Sequence, residues 1–148
     1  MTTMLREILI AIVLVAITVA VHVGGLTMLL NARPNARPPT SFWPTAWLLI
    51  SVTWRVILIH LAEIAVWAWF YLWAGCLPDA ETALYFSGVT YATIGYGDLV
   101  LQAPWRLLAP IEGLTGILMC GLSTGLFFAM ASRIYAARLE ARTSRAKP

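Results

Sequence analysis

Charged residues are scarce in this sequence of 148 residues, of which 11% are Asp, Glu, Lys or Arg. Soluble domains carry about a quarter, and 60% of this chain is hydrophobic. So few charges cannot cover a water-soluble surface, and we therefore expect a lipid bilayer to surround the protein. A nucleic-acid partner is not expected, because the basic residues lie at the ends of apolar runs and are not interleaved with aromatic residues on one face.

Cysteine is nearly absent, and the two present, Cys76 and Cys120, form no CxxC or zinc-finger spacing. Cys120 lies inside an apolar run, so we expect it to be a small core residue. The sequence also contains no Walker motif, no HExxH and no Ser-His-Asp spacing. We therefore expect neither enzymatic activity nor a bound cofactor.

Three apolar runs are long enough to cross a bilayer, which takes roughly 20 helical residues. They cover 8–30, a stretch within 46–74, and about 107–132. The first run follows a basic residue, as a secretory signal does, but it is too long and lacks a small-x-small cleavage site. We interpret it as a retained helix, and we predict an all-α membrane protein with three transmembrane helices.

A shorter helix is predicted between the second and third runs. Pro78 and Asp79 mark its start, with Asp79 as the N-cap, and it continues to about Ala92, too short to span a bilayer. The glycine-rich stretch TIGYGD, Thr93 to Asp98, follows, and the chain returns to the interface at Trp105. This pattern predicts a re-entrant hairpin, whose irregular backbone must be buried in protein or line a water-filled path.

The two glycines of TIGYGD, Gly95 and Gly97, need an explanation. A dinucleotide-binding fingerprint would require a third glycine at the position of Val100, and a simple turn does not explain the preceding short helix. Glycine permits positive φ, and alternating φ values can turn successive carbonyls to one side, where they can replace the water shell of an ion. One strand supplies one oxygen per level, so such a cage requires several copies of the chain.

In this context TIGYGD resembles the selectivity filter of tetrameric potassium channels, a known example of ion selectivity. The resemblance covers about 46–133, in the order outer helix, pore helix, filter and inner helix, and it implies a homotetramer in a bilayer. It divides the chain into an N-terminal transmembrane helix (1–30), a Pro/Arg-rich cytoplasmic linker (31–45), a pore domain (46–133) and a basic cytoplasmic tail (134–148). Potassium is implied as the permeant ligand, held by Thr93, Ile94, Gly95 and Tyr96, with Gly97 completing the filter.

The resemblance also implies residues that support the filter. Asp98 occupies the position of the family's aspartate behind the filter, and Tyr85 is the pore-helix aromatic expected to bond it. Phe86 stands where many members carry a donor to the filter tyrosine, so that support is missing. Glu112, early in the third run, is expected to brace the filter through Ser87, Thr90 or Tyr91; acting as a proton-sensitive gate is the alternative.

The remaining polar and small residues of the apolar runs leave alternatives open. In the second run we expect Arg55 to reach the interface and Glu63 to pair with a neighbouring helix. A functional role for these groups and His60 is the alternative, as for any ionisable residue within a membrane, although nothing in their pattern defines a relay or a metal cage. In the third run, small residues at three- or four-residue spacing predict either close helix packing or a wide pore. The candidate hinge or gate residues are Gly116, Gly121, Gly125 and Phe128.

The distribution of basic residues predicts the orientation. Eight of them share one face by this topology, and Arg6 and Arg106 fall on the other. The positive-inside rule then places the N-terminus and the filter outside and the C-terminus in the cytoplasm of a cell membrane, such as a bacterial inner membrane. The expected function is passive potassium-selective conduction. The alternatives are a non-conducting or regulatory subunit with a pore-type fold, and a weakly selective cation channel.

Overall fold

The computed structural model describes residues 2–31, 39 and 41–146. These residues form four helices and no strand: α1 (Thr2–Asn31), α2 (Phe42–Trp73), α3 (Ala80–Tyr91) and α4 (Leu108–Ala146). Three helices contain segments long and apolar enough to cross a membrane, namely Met4–Asn31, Phe42–Trp73 and Leu108–Thr143. The predicted all-α fold with three membrane-spanning helices is therefore confirmed, while the re-entrant path of α3 and the homotetramer stay predictions.

The start of α3 follows local capping chemistry, whereas Ser41 before α2 makes no side-chain cap. The carboxylate of Asp79 accepts hydrogen bonds from the backbone N–H and the hydroxyl of Thr82, at 2.8 and 2.9 Å, so Asp79 is the expected N-cap. The helix α2 begins at Phe42, whereas the sequence assigned residues up to 45 to the linker. Pro44 can lie in the first turn because its missing N–H has no intrahelical partner there. The rest of the predicted linker, apart from Asn31, Pro39 and Ser41, lies outside the described residues.

The short helix α3 packs against both α2 and α4, and α1 packs against the same two helices. One core cluster joins the four elements at the end of the bundle near the TIGYGD loop, and its largest buried members include Trp67, Tyr71 and Leu108. Phe86 packs edge-on against Tyr71, with ring centroids 5.3 Å apart. Phe86 thus anchors α3 in the aromatic part of this core.

The small residue Gly116 allows α4 to approach the end of α3 closely. A Cβ at this position would lie 2.0 Å from the carbonyl oxygen of Tyr91, which is far inside van der Waals contact. Cys120, one turn further along α4, is exposed in the single chain and Cys76 is half-buried. The expectation that Cys120 is a core residue was wrong, because the packed face of α4 carries Met119 and Ser123 instead.

Two contacts of arginine side chains show which parts of the helices lie together. The guanidinium of Arg6, near the start of α1, lies 5.4 Å from the ring centroid of Trp105, just before α4. At the other end, Arg138 donates to the hydroxyl of Thr45 at 3.0 Å. The start of α1 and the loop before α4 therefore share one end of the bundle, and the late part of α4 lies beside the start of α2.

Candidate functional site

The TIGYGD loop leaves the end of α3 with its first N–H groups turned back towards that helix. Thr93 donates to the carbonyl of Thr90 at 2.9 Å, and Ile94 donates to that of Val89 at 2.9 Å. The N–H of Gly95 also points to Val89, at 3.3 Å. The last carbonyls of α3 thus anchor the backbone donors of the loop.

The backbone dihedral angles of the loop alternate in sign. Thr93, Gly95 and Gly97 have φ values of 60°, 57° and 80°, and Ile94 and Tyr96 between them do not have positive φ. The two glycines fit the expectation from sequence, because glycine enters this region without a Cβ penalty. Thr93 was named from the sequence as a filter residue, but its positive φ was not expected, since positive φ in a β-branched residue is an outlier that no feature of the residue itself signals. Such a conformation persists only where surrounding structure imposes it.

The loop is open to its surroundings in the single chain. The side chains of Ile94 and Tyr96 are 54% and 69% exposed. Within the described residues, no hydrogen bond reaches the carbonyl oxygens of 93–97. A groove of about 500 Å³ lies beside the loop, lined by residues that include Phe86, Leu101 and Leu114. The loop therefore presents unpaired acceptors together with apolar surface.

Tyr85 and Asp98 meet directly beside the loop. The hydroxyl of Tyr85 donates to Oδ2 of Asp98 at 2.7 Å. This bond favours the ionised carboxylate, so it lowers the pKa of Asp98 below its ordinary value, and the same bond raises the pKa of Tyr85. The contact ties the end of the TIGYGD stretch to α3. Phe86, the next residue, is buried against the core and has no polar atom to offer the loop.

Glu112 lies fully buried behind α3. Tyr71 of α2 donates to its Oε2 at 2.7 Å, and the hydroxyl of Ser87 in α3 lies 2.5 Å from its Oε1. The same Ser87 oxygen is 2.9 Å from the carbonyl of Ile64. Of the three partners considered from sequence, Ser87 is the one bonded here, and Tyr71 was missed. Glu112 therefore links α2, α3 and α4 at one point.

A second buried carboxyl group, Glu63 of α2, joins a different set of side chains. His22 of α1 contacts its Oε1 at 2.7 Å, so the expected pairing of Glu63 with a neighbouring helix is confirmed. The hydroxyl of Tyr91 donates to Oε2, and His60 lies 3.2 Å from the same oxygen. Arg55 is exposed and takes no part. Sequence reasoning missed His22, whose only signal was a polar ring within an apolar run.

The candidate hinge and gate residues lie along α4. Gly116 is packed against α3, whereas added Cβ atoms at Gly121 and Gly125 would meet nothing within 4 Å. The side chain of Phe128 is 75% exposed. The small residues Gly121, Gly125, Ala129 and Ser132 are all exposed in the single chain. Their roles as hinge or gate stay predictions.

The family follows from a comparison with protein-family models, in which residues 57–133 match the ion channel model. The match covers more than half of the chain. The chain belongs to the ion channel family. The matched segment of this ion channel starts within α2, contains α3 and the TIGYGD loop, and ends in α4. With its three apolar helices the channel is a multi-pass membrane protein. No curated protein and no solved structure matches the chain.

Proposed function

We propose that this ion channel conducts potassium selectively and passively through a filter that four copies of the chain form around a common axis. The ligands are the carbonyl oxygens of Thr93, Ile94, Gly95 and Tyr96, with Gly97 at the outer end. The alternating φ values of the loop carry the proposal. A backbone that alternates in this way directs consecutive carbonyls to one side, as a stack of ion sites requires.

The ligand chemistry supports a weakly hydrated monovalent cation. Carbonyl oxygens are neutral hard donors that can replace a hydration shell, and the N–H groups of Thr93, Ile94 and Gly95 point away towards α3. The loop also leaves the C-terminal end of α3 at Tyr91. This end carries partial negative charge, which favours a cation nearby.

The exposed surface of the loop supports assembly. Unpaired carbonyls in hydrocarbon cost several kcal/mol each, and Ile94 and Tyr96 project from the single chain. Neighbouring copies remove both problems, because their loops enclose the carbonyls around water and ions while their surfaces fill the groove beside the loop. Four copies supply four oxygens at each level of the filter.

The proposed setting is a cell membrane, with the N-terminus and filter outside and the C-terminus in the cytoplasm. Arg6 and Trp105 mark the filter end of the bundle. Arg133, Arg138 and Arg142 concentrate positive charge at the far end of α4, which the positive-inside rule assigns to the cytoplasm. A single cysteine introduced beside Arg142 in a cysteine-free chain tests this orientation through labelling of intact cells.

A weakly selective cation channel is the second candidate. Phe86 packs against Tyr71 and carries no donor that could hold Tyr96, so the filter has one support fewer than a fully braced loop. A loosely held filter discriminates less between potassium and sodium. A silent subunit with a pore-type fold is the outcome if correctly assembled protein conducts neither ion.

Flux through proteoliposomes tests these functions. The full chain is reconstituted, and potassium and sodium permeabilities are measured against a double variant in which Tyr96 and Gly97 are both alanine. We expect potassium flux with a permeability well above that of sodium, and loss of selective flux in the variant. Undiminished selective flux in the variant contradicts the proposed filter, whereas a permeability ratio near unity in the wild type favours the second candidate.

A further inference from the structure

Two histidines and a glutamate converge inside the helical bundle, away from the TIGYGD loop carbonyls. They are His22 of α1 and His60 and Glu63 of α2, and one ligand atom from each lies within 4.8 Å of the others. The side chains of His22 and Glu63 are completely buried, and that of His60 is 18% exposed. Because His60 and Glu63 are three residues apart, they share one face of α2.

The two imidazole rings have the same arrangement around their neighbours. Each Nδ1 atom faces one oxygen of Glu63, at 2.7 Å from His22 and 3.2 Å from His60. Each Nε2 atom faces the hydroxyl of Ser123 in α4, at 3.5 Å from His22 and 3.2 Å from His60. The hydroxyl of Tyr91 contacts both Glu63 and Nδ1 of His60. The cluster therefore touches all four helices.

Protons are too few to satisfy these contacts. A neutral imidazole has one N–H, and Ser123 has one hydroxyl proton. If both Nδ1 atoms donate to the Glu63 carboxylate, both Nε2 atoms are acceptors and Ser123 has a single proton for the two. If either ring carries its proton on Nε2 instead, its Nδ1 lone pair faces a carboxylate oxygen. With both rings neutral and Glu63 ionised, one buried lone pair therefore always faces another, and one additional cation relieves this, either a second proton on one ring or a bound metal ion.

We propose that His22, His60 and Glu63 bind a divalent transition-metal ion of the zinc class. Imidazole nitrogens and a carboxylate oxygen are the ligands such ions take, and three protein ligands leave a fourth position for water. With the Nδ1 atoms on the metal, the Nε2–H groups of both rings donate to the hydroxyl oxygen of Ser123, which then holds the rings as groups behind metal ligands do. The site goes beyond the proposed conduction and does not depend on which ion the filter selects.

The position of the site indicates what the metal does. His22 lies in α1, outside the segment that matches the ion channel family, whereas His60 and Glu63 lie inside it. A bound ion therefore links α1 to the segment 57–133 that matches the ion channel family. Through Tyr91, the last residue of α3, it also stiffens the backbone that leads into Thr93.

Direct metal binding to the full chain tests this inference without any flux measurement. Tag-free protein in detergent is stripped with a chelator, equilibrated with Zn²⁺, desalted and assayed for bound metal. The same is done with a variant in which Cys76 and Cys120 are serine, because thiols bind zinc on their own. We expect about one zinc per chain in both proteins. Co²⁺ in place of zinc should give the visible absorption bands of a four-coordinate site.

Variants identify the ligands. His22→Gln, His60→Gln and Glu63→Gln should each abolish stoichiometric binding, and Ser123→Ala should weaken it by roughly 10- to 100-fold. Glu112→Gln is the matched control, because it neutralises an equally buried carboxyl group that contacts no imidazole, and it should bind zinc as the wild type does.

Three results would overturn the inference. They are the absence of bound zinc in folded wild-type protein, binding that disappears when the cysteines are replaced, and binding that survives in the His22, His60 and Glu63 variants. Helicity and oligomer size are measured for every variant. If a ligand variant fails to fold, the wild-type stoichiometry and the affinity of Ser123→Ala still decide the question.

Discussion

The hydroxyl of Tyr91 donates a hydrogen bond to the buried carboxyl group of Glu63. Tyr91 is the last residue of α3 and lies two residues before Thr93, where the positive φ values of the loop begin. Its carbonyl oxygen also contacts α4 at Gly116. The end of α3 is therefore fixed by α2 through its side chain and by α4 through its backbone.

Replacing Tyr91 with phenylalanine should lower stability with little change in shape. The variant leaves the buried Glu63 carboxyl group without one donor, which costs about 1–3 kcal/mol. Thermal unfolding of the protein in detergent, followed by circular dichroism, measures the change. Tyr135→Phe is the control, because that tyrosine is exposed near the end of α4. Equal melting temperatures for both variants would argue against a structural role for the Tyr91 hydroxyl.

Two substitutions at Glu112 should differ in effect. Glutamine retains a carbonyl to accept from Tyr71 and supplies an amide donor to Ser87, whereas alanine leaves two buried hydroxyl groups without this partner. Each lost partner costs about 1–3 kcal/mol, so Glu112→Ala should unfold at a clearly lower denaturant concentration than Glu112→Gln. Similar midpoints for the two variants would contradict the role of Glu112 as a brace.

The Tyr85–Asp98 bond should set how conduction responds to acid. The bond lowers the pKa of Asp98, so its contribution is present at neutral pH and is lost as the pH falls through that lowered pKa. Tyr85→Phe lacks the bond at every pH, so potassium flux through proteoliposomes should already be reduced at neutral pH and should no longer show the wild-type fall as Asp98 is protonated. Glu81→Gln, in the first turn of α3, should keep the wild-type profile. An unchanged profile in Tyr85→Phe would show that the bond does not support the conducting loop.

Glycine-to-alanine substitutions should have opposite effects in the loop and in α3. At Gly95 the positive φ penalises alanine by about 1–2 kcal/mol, and selective flux should be reduced or lost. At Gly88, inside α3, an added Cβ meets nothing within 4 Å, and alanine should be neutral or stabilise the helix by about 0.5–1 kcal/mol. Conduction by Gly95→Ala equal to that of Gly88→Ala would exclude a need for positive φ at Gly95.

Alanine at Gly116 should disturb the bundle, because its Cβ would collide with the Tyr91 carbonyl. Alanine at Gly121 has open space within the chain and should leave the stability of the detergent-solubilised protein unchanged or raise it by about 0.5–1 kcal/mol, as expected at Gly88. The comparison of the two variants separates a packing role from a hinge role. Alanine stiffens the helix at both positions, but it collides with α3 only at Gly116. Equal unfolding midpoints for the two variants would refute the packing role of Gly116.

Features encoded by nearby residues were predictable from the sequence. Asp79 fixes the start of α3 through a contact three residues away, and the length of the apolar runs determines the spanning helices. The contact between Tyr85 in α3 and Asp98, 13 positions further along the chain, was expected from the resemblance that the TIGYGD stretch carries. Short sequence separation makes a partner such as the Asp79 cap visible, whereas the Tyr85–Asp98 contact was visible only through the resemblance.

Features that depend on packing between distant segments were not predictable in this way. His22 and Glu63 lie 41 residues apart, and nothing in either apolar run specifies that they face one another. The positive φ of Thr93 accompanies hydrogen bonds from Thr93 and Ile94 to carbonyls at the end of α3, and the exposure of Cys120 depends on which face of α4 packs inward. The third apolar run ends at about residue 132, whereas α4 continues to Ala146. Hydropathy identifies the part of a helix that lies in lipid and does not show where the helix itself ends.

The helix α4 has 39 residues, so at 1.5 Å per residue it is about 58 Å long. The hydrocarbon layer of a bilayer is about 30 Å thick, and roughly half of the helix therefore stands beyond it. The projecting half carries Arg138, whose bond to Thr45 ties it to the first turn of α2. A force applied to the projecting basic end would therefore reach the membrane-spanning half, with Gly121 and Gly125, through one uninterrupted helix.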